Sequence, residues 1–102
     1  MKRKIIKRKI KKIGLCEGRH PMPVKAYIYT HSIADPTDTA GLEEEARVSL
    51  ADIDEKIRLF IYVSGLTVAL ISALNVCREK NIFVTLMHYD AKSNNYYAQT
   101  VR

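Results

Sequence analysis

Three short groups of residues in this chain have the makings of anion chemistry. In the EGRHP segment, Glu17, Gly18, Arg19 and His20 stand directly before a proline. An arginine there offers a planar fork of donors that suits a phosphate, and a histidine can donate to the same group or move a proton near neutral pH. In SGLT, Ser64, Gly65, Leu66 and Thr67 combine hydroxyls with a glycine whose following amides can cradle an anion where a helix begins. His88, Tyr89 and Asp90 form the third group. Two chemistries follow. The groups could hold a phosphate-bearing ligand unchanged. Alternatively, if the ligand's own 2′-hydroxyl attacks its neighbouring phosphate, Arg19 and the Gly65 turn would stabilise the charge and His20 or His88 would protonate the leaving oxygen.

Each group also has a plainer structural account. Gly65 and Thr67 suit a turn and a helix cap, Arg19 could pair with Asp35 or Glu17, and His88 could be an ordinary strand histidine, as could His31. The six tyrosines could include a base-stacking platform, but several must pack in the core. Cys16 lacks a histidine at a defining distance and reads as a core residue rather than a nucleophile. There is no G-x-G-x-x-G, no Walker sequence and no metal-ligand spacing, so no cofactor and no metal are expected.

The elements that must position these groups centre on residues 59–90. LFIYV is an apolar run of strand length, as expected for a strand buried on both faces, followed by a glycine corner, an apolar helix over 67–80 and a second strand over 82–89. Strands flanking such a helix run parallel with a right-handed crossover. Ser72, Asn75 and Glu79 form a narrow polar stripe, which predicts a nearly enclosed helix. Upstream, KIGLCEG is a first strand over 12–18, two prolines in RHPMP stiffen the loop after it, and AYIYTHS over 26–32 is an edge segment. Asp35, Pro36, Asp38 and Thr39 then offer caps to an amphipathic helix in which Leu42, Ala46, Leu50, Ile53 and Ile57 recur at three- and four-residue spacings. Glu43, Glu44 and Glu45 fall in its early turns, where they complement the helix dipole. DAKSNN is a turn before a final antiparallel strand.

The expected fold is α/β, a small Rossmann-like sheet, mostly parallel, with a C-terminal antiparallel hairpin strand and two helices. Residues 1–11 read as a basic tail and 12–102 as one domain. Strands progressing in one direction would place both helices on the same face, so a homodimer, or the second segment, is expected to cover the other. The net charge of +6 divides unevenly: residues 1–12 hold eight of the 17 basic residues and no acid, leaving nine against 11, a net of −2, for the rest. A nucleic-acid partner is therefore expected only through the tail. The tail never reaches an uninterrupted apolar stretch, which argues against export, and Ser64, Gly65 and Thr67 interrupt the uncharged run over 59–77, which argues against a membrane span. Two distant cysteines fit a reducing, cytoplasmic setting.

With the EGRHP loop and the strand-SGLT-helix-strand-HYD pattern in view, the chain resembles small Rossmann-like proteins of antiviral nucleotide signalling. These include compact CRISPR-associated ring nucleases and phage counter-defence proteins that sequester cyclic nucleotides. The resemblance implies that Arg19 and His20 contact phosphate and that Ser64, Gly65 and Thr67 form the phosphate-binding turn, in the host cytoplasm if the chain is phage-encoded. It implies a sponge for a cyclic nucleotide messenger. The alternatives are a metal-independent ring nuclease and a protein inhibitor of a defence effector, which would use Glu43, Glu44 and Glu45 as a mimic of nucleic-acid charge.

Overall fold

The computed structural model describes residues 9–17, 22–30 and 33–101. Strands β1 (Lys9–Cys16), β2 (Tyr27–Tyr29), β3 (Ile57–Tyr62), β4 (Phe83–Asp90) and β5 (Asn95–Thr100) form one sheet, with α1 (Thr39–Ser49) joining β2 to β3 and α2 (Thr67–Glu79) joining β3 to β4. The strand order is β2-β1-β3-β4-β5. β1 pairs in parallel with β2 and β3, β3 in parallel with β4, and β5 returns antiparallel on β4. This is the α/β architecture that the sequence predicts.

Alternation decides which side of the sheet is buried. Ile13 and Leu15 of β1, Leu59 and Ile61 of β3, and Val84 and Leu86 of β4 share one face and one apolar cluster with Leu42 and Ala46 of α1 and Ala69, Ala73, Val76 and Cys77 of α2. The helices lie side by side on that face. Arg47 of α1 makes two 2.8 Å hydrogen bonds to the Glu79 carboxylate of α2, and Asn75 donates to Glu43 at 3.0 Å. Lys80 adds a bond to the Leu50 carbonyl. Asn81 just beyond α2 takes a left-handed φ of 56° that ends the helix.

Several elements differ from the sequence reading, each for a physical reason. β1 begins at Lys9, inside the segment read as tail, because Lys9 and Ile10 pair with Ile57 and Arg58; residues 1–8 lie outside the described residues. α1 ends at Ser49, not near Ile57: Leu50 caps it, Ile53 is buried in the following loop, and the Asp54 carboxylate turns the chain by accepting from the Lys56 amide. The first turn of α1 holds no acid. Asp38 caps it by accepting from the Gly41 amide at 3.0 Å, while Glu43 and Glu44 act sideways on Asn75 and Arg47. β3 is packed mainly on one side, with Arg58 and Phe60 half-buried. α2 is not enclosed either, since Ile71 is 51% exposed. Ser72 faces the core and donates to its own helix at the Val68 carbonyl, and Asn75 and Glu79 turn toward α1.

Cys16 and Cys77 are both free thiols. Burial pushes the Cys77 thiol up to about 12, against a softening by Lys80. A raised folded value means that the protonated thiol favours folding below its unfolded value of 9.0, and that this contribution fades as pH rises from there toward 12. Alkaline titration of stability should therefore steepen above about pH 9, with Cys77 supplying up to ~1.4 kcal/mol per pH unit. Urea melts of Cys77→Ala should show that component gone; an unchanged slope would place the titration elsewhere.

Candidate functional site

In an open α/β sheet, loops on the carboxyl side of neighbouring strands part where the chain reverses direction across the sheet, and the gap between them takes ligands. Here that place lies between β1, whose chain leaves toward β2, and β3, whose chain leaves toward β4. A crevice of about 440 Å³ opens at that rim, lined by Cys16, Glu17, Tyr29, Thr30, Ile33, Gly65 and Leu66. Its volume is within the range of small-molecule sites.

Gly65 makes the corner. Its φ of +82° is in the left-handed region, and a Cβ there would stand 3.3 Å from Cys16 Sγ, so both conformation and space favour glycine. Ser64 Oγ donates to the Cys16 carbonyl, clipping the ends of β1 and β3 together. Its proton is thus committed to the fold. Leu66 is the N-cap of α2, in extended conformation and without a side-chain cap bond, and Ala69 and Leu70 both donate to its carbonyl. Thr67 is therefore the first helical residue rather than the cap. The amides at the start of α2 carry the positive end of the helix dipole with no side chain closing them off.

The back of the crevice is Tyr29, whose Oη lies 3.1 Å from the Leu42 carbonyl and 3.2 Å from that of Ala69. Burial holds this hydroxyl protonated well above tyrosine's ordinary range. Burial also raises the Cys16 thiol, with the negative charge of Glu45 adding to the effect, so Cys16 is a poor thiolate. Glu17 is the one charged side chain among the described lining residues. A phosphate would need cations to balance it, and Gly18, Arg19 and His20, which follow Glu17 in sequence, lie outside the described residues, as does His31.

The third predicted group is not brought here. His88 Nε2 stands 2.8 Å from Gln99 Oε1, and its ring lies against Tyr97, on the β4–β5 pair. Tyr89 donates to Asn94 and packs edge-on to Tyr96. Asp90 accepts from the Lys92 amide and Ser93 hydroxyl, which holds its carboxyl below the usual carboxylate range. All three serve the hairpin, with β3 between them and β1. Tyr29, Thr30 and Ile33 take their place at the rim, and sequence reasoning missed them. No local signal marks them: the connection over 17–26 is shorter than a usual crossover, yet β2 pairs in parallel beside β1, a placement set by strand pairing.

Among the described residues no group of three or more His, Cys, Asp or Glu side chains could hold a metal, and no helix is long and apolar enough to cross a membrane. No protein family, curated protein or solved structure matches the chain.

Proposed function

We propose that the chain binds a small phosphate-bearing ligand of the nucleotide class in the crevice between β1 and β3 and withholds it, the cyclic nucleotide messengers being the members that the sequence resemblance implies. One observation carries this reading: the open N-terminus of α2 and the segment leading to Arg19 and His20 share a rim, because Ser64 fastens the end of β3 to Cys16. Backbone amides would take the phosphate and Arg19 would balance its charge. Of the three glutamates that an acidic mimic would use, Glu43 and Glu44 are engaged with Asn75 and Arg47, which weighs against an inhibitor acting through that face.

Isothermal titration against cyclic dinucleotides, cyclic oligoadenylates and cyclic ADP-ribose isomers tests the proposal. At least one should bind, and Arg19→Ala should weaken it at least tenfold, as loss of a charge-assisted bond of roughly 1.5–3 kcal/mol requires. Gly65→Val, which puts a side chain at the corner, should weaken it too. Failure of every ligand removes the proposal. Chromatography of the ligand after incubation then separates storage from cleavage: linear product would mean a ring nuclease, with His20 as the acid since His88 is held at the hairpin.

A further inference from the structure

The face of the sheet opposite the helices presents a second chemistry. Strand register places Ile10, Lys12 and Gly14 beside Arg58, Phe60 and Tyr62, these beside Phe83, Thr85 and Met87, and Thr85, Met87 and Tyr89 beside Thr100, Ala98 and Tyr96. Among the described residues no helix covers this side. Met22 and the ring of Tyr27 lie over Gly14, and Tyr62 and Thr85 are buried on this side by their neighbours. Tyr27, Phe60 and Tyr96 are half-buried there, and Tyr96 is held by edge contacts with Tyr62 at 4.9 Å and Tyr89 at 5.4 Å. The Arg58 guanidinium reaches over β4 to donate to Thr85 Oγ1 at 3.1 Å, and Lys12 is exposed.

Charge selects the occupant. Asp90 is the one acid in any strand, and it pairs with Asn95 on the other side, so no strand position on this face is acidic. The glutamates of α1 and α2 stand behind the sheet. Residues 1–8 add five basic residues and no acid to the start of β1, the strand that carries Lys12. A second copy placed face to face would set Lys12 and Arg58 against cations, with no acidic strand position among the described residues on this face to compensate. A polyanion with flat apolar groups suits the same surface: single-stranded nucleic acid joins phosphates, drawn by a cationic surface, to bases that stack on aromatic rings with little regard to sequence.

We infer that the helix-free face of the sheet is a platform for single-stranded nucleic acid, with bases stacked on Phe60, Tyr96 and Tyr27 and phosphates held by Lys12 and Arg58. It is separate from the crevice and does not depend on the crevice being a nucleotide site.

Fluorescence anisotropy of the full chain with labelled oligouridylate, oligothymidylate and a duplex of equal length is the test. Single strands should bind, RNA and DNA arms showing which is preferred, and the duplex should bind more weakly. Affinity should fall steeply between about 50 and 200 mM salt. Phe60→Leu, which keeps an apolar side chain but loses the ring, should weaken binding about tenfold with the thermal melt little changed. Lys12→Glu, on an exposed position, should weaken it further and flatten the salt dependence. Absence of single-strand binding at low salt overturns the inference. So does binding that survives both substitutions and disappears only when residues 1–8 are removed, since the tail would then act alone. A dimer that Lys12→Glu dissociates, with no oligonucleotide bound, would give the face to a second copy.

Discussion

Tyr29→Ala should cost about 3–5 kcal/mol, the usual range for emptying a buried aromatic site. Tyr29 is only 2% exposed, and its hydroxyl touches carbonyls in the first turns of both helices, Leu42 of α1 and Ala69 of α2. No other described side chain binds the two helices to the edge strand β2 in this way, and β2 is only three residues long. Against a total of roughly 5–15 kcal/mol for a domain, such a loss leaves the fold marginal, and the melting temperature should drop by more than about 10 °C. Tyr29→Phe separates packing from hydrogen bonding. Both carbonyls lie within helices and have backbone amides for partners, so removing the hydroxyl should cost only about 0.5–1.5 kcal/mol. Melts of the two variants check this. A Phe variant as unstable as the Ala variant would mean that the hydroxyl, not the ring, holds the corner, and an Ala variant within 1 kcal/mol of the parent, the scale of an ordinary surface change, would remove Tyr29 from that role altogether.

The same residue marks the limit of what the sequence made legible. From Leu59 to Asp90 every signal is local: an apolar run, a glycine needing positive φ, a change from period two to period 3.6, and a second apolar run. Those signals place β3, α2 and β4 within two residues of their observed bounds. The position of β2 is set instead by pairing Gly14 with Tyr27 and Cys16 with Tyr29, contacts between segments that no local pattern joins. The end of α1 was hidden by coincidence. Leu50, Ile53 and Ile57 continue the helical spacing beyond Ser49, but Ile53 is buried from a loop and Ile57 begins a strand. At the site, the rule that ligands gather at strand carboxyl ends correctly joins Glu17 to Gly65 and Leu66. Applied to His88, Tyr89 and Asp90, it ignores the sideways spacing of strands. β4 is two places from β1, and its end is occupied by the turn that Asp90 and Asn94 stabilise.

The uncovered face has a sequence signature that is easy to misread. Arg58, Phe60 and Tyr62 alternate with Leu59 and Ile61, so a continuous apolar run looks like a strand buried on both sides, although helices pack on one side only. Aromatic residues on that side pack on one another edge to face, as Tyr62 and Tyr89 do against Tyr96.

Gly14→Ala provides the sharpest test of how that face is built, because two effects of opposite sign compete. Alanine in a strand is ordinarily favoured over glycine by about 0.5–1 kcal/mol, since it loses less backbone freedom on folding. At this position, however, a Cβ would fall 2.5 Å from Tyr27 Cδ1, 2.6 Å from Cε1 and 3.2 Å from Met22 Sδ. The Tyr27 ring must move, and overpacking of this kind costs about 1–3 kcal/mol, so the clash outweighs the propensity and the variant should be less stable. Tyr27→Ala removes the obstacle. In that background Gly14→Ala should become neutral or stabilising, a coupling of about 1–3 kcal/mol between two residues in direct contact. Urea melts of the four proteins in this cycle measure it. Stabilisation by Gly14→Ala in the parent chain would show that the ring does not lie across the glycine, and with it would go the placement of Tyr27 as a stacking surface at the edge of the sheet.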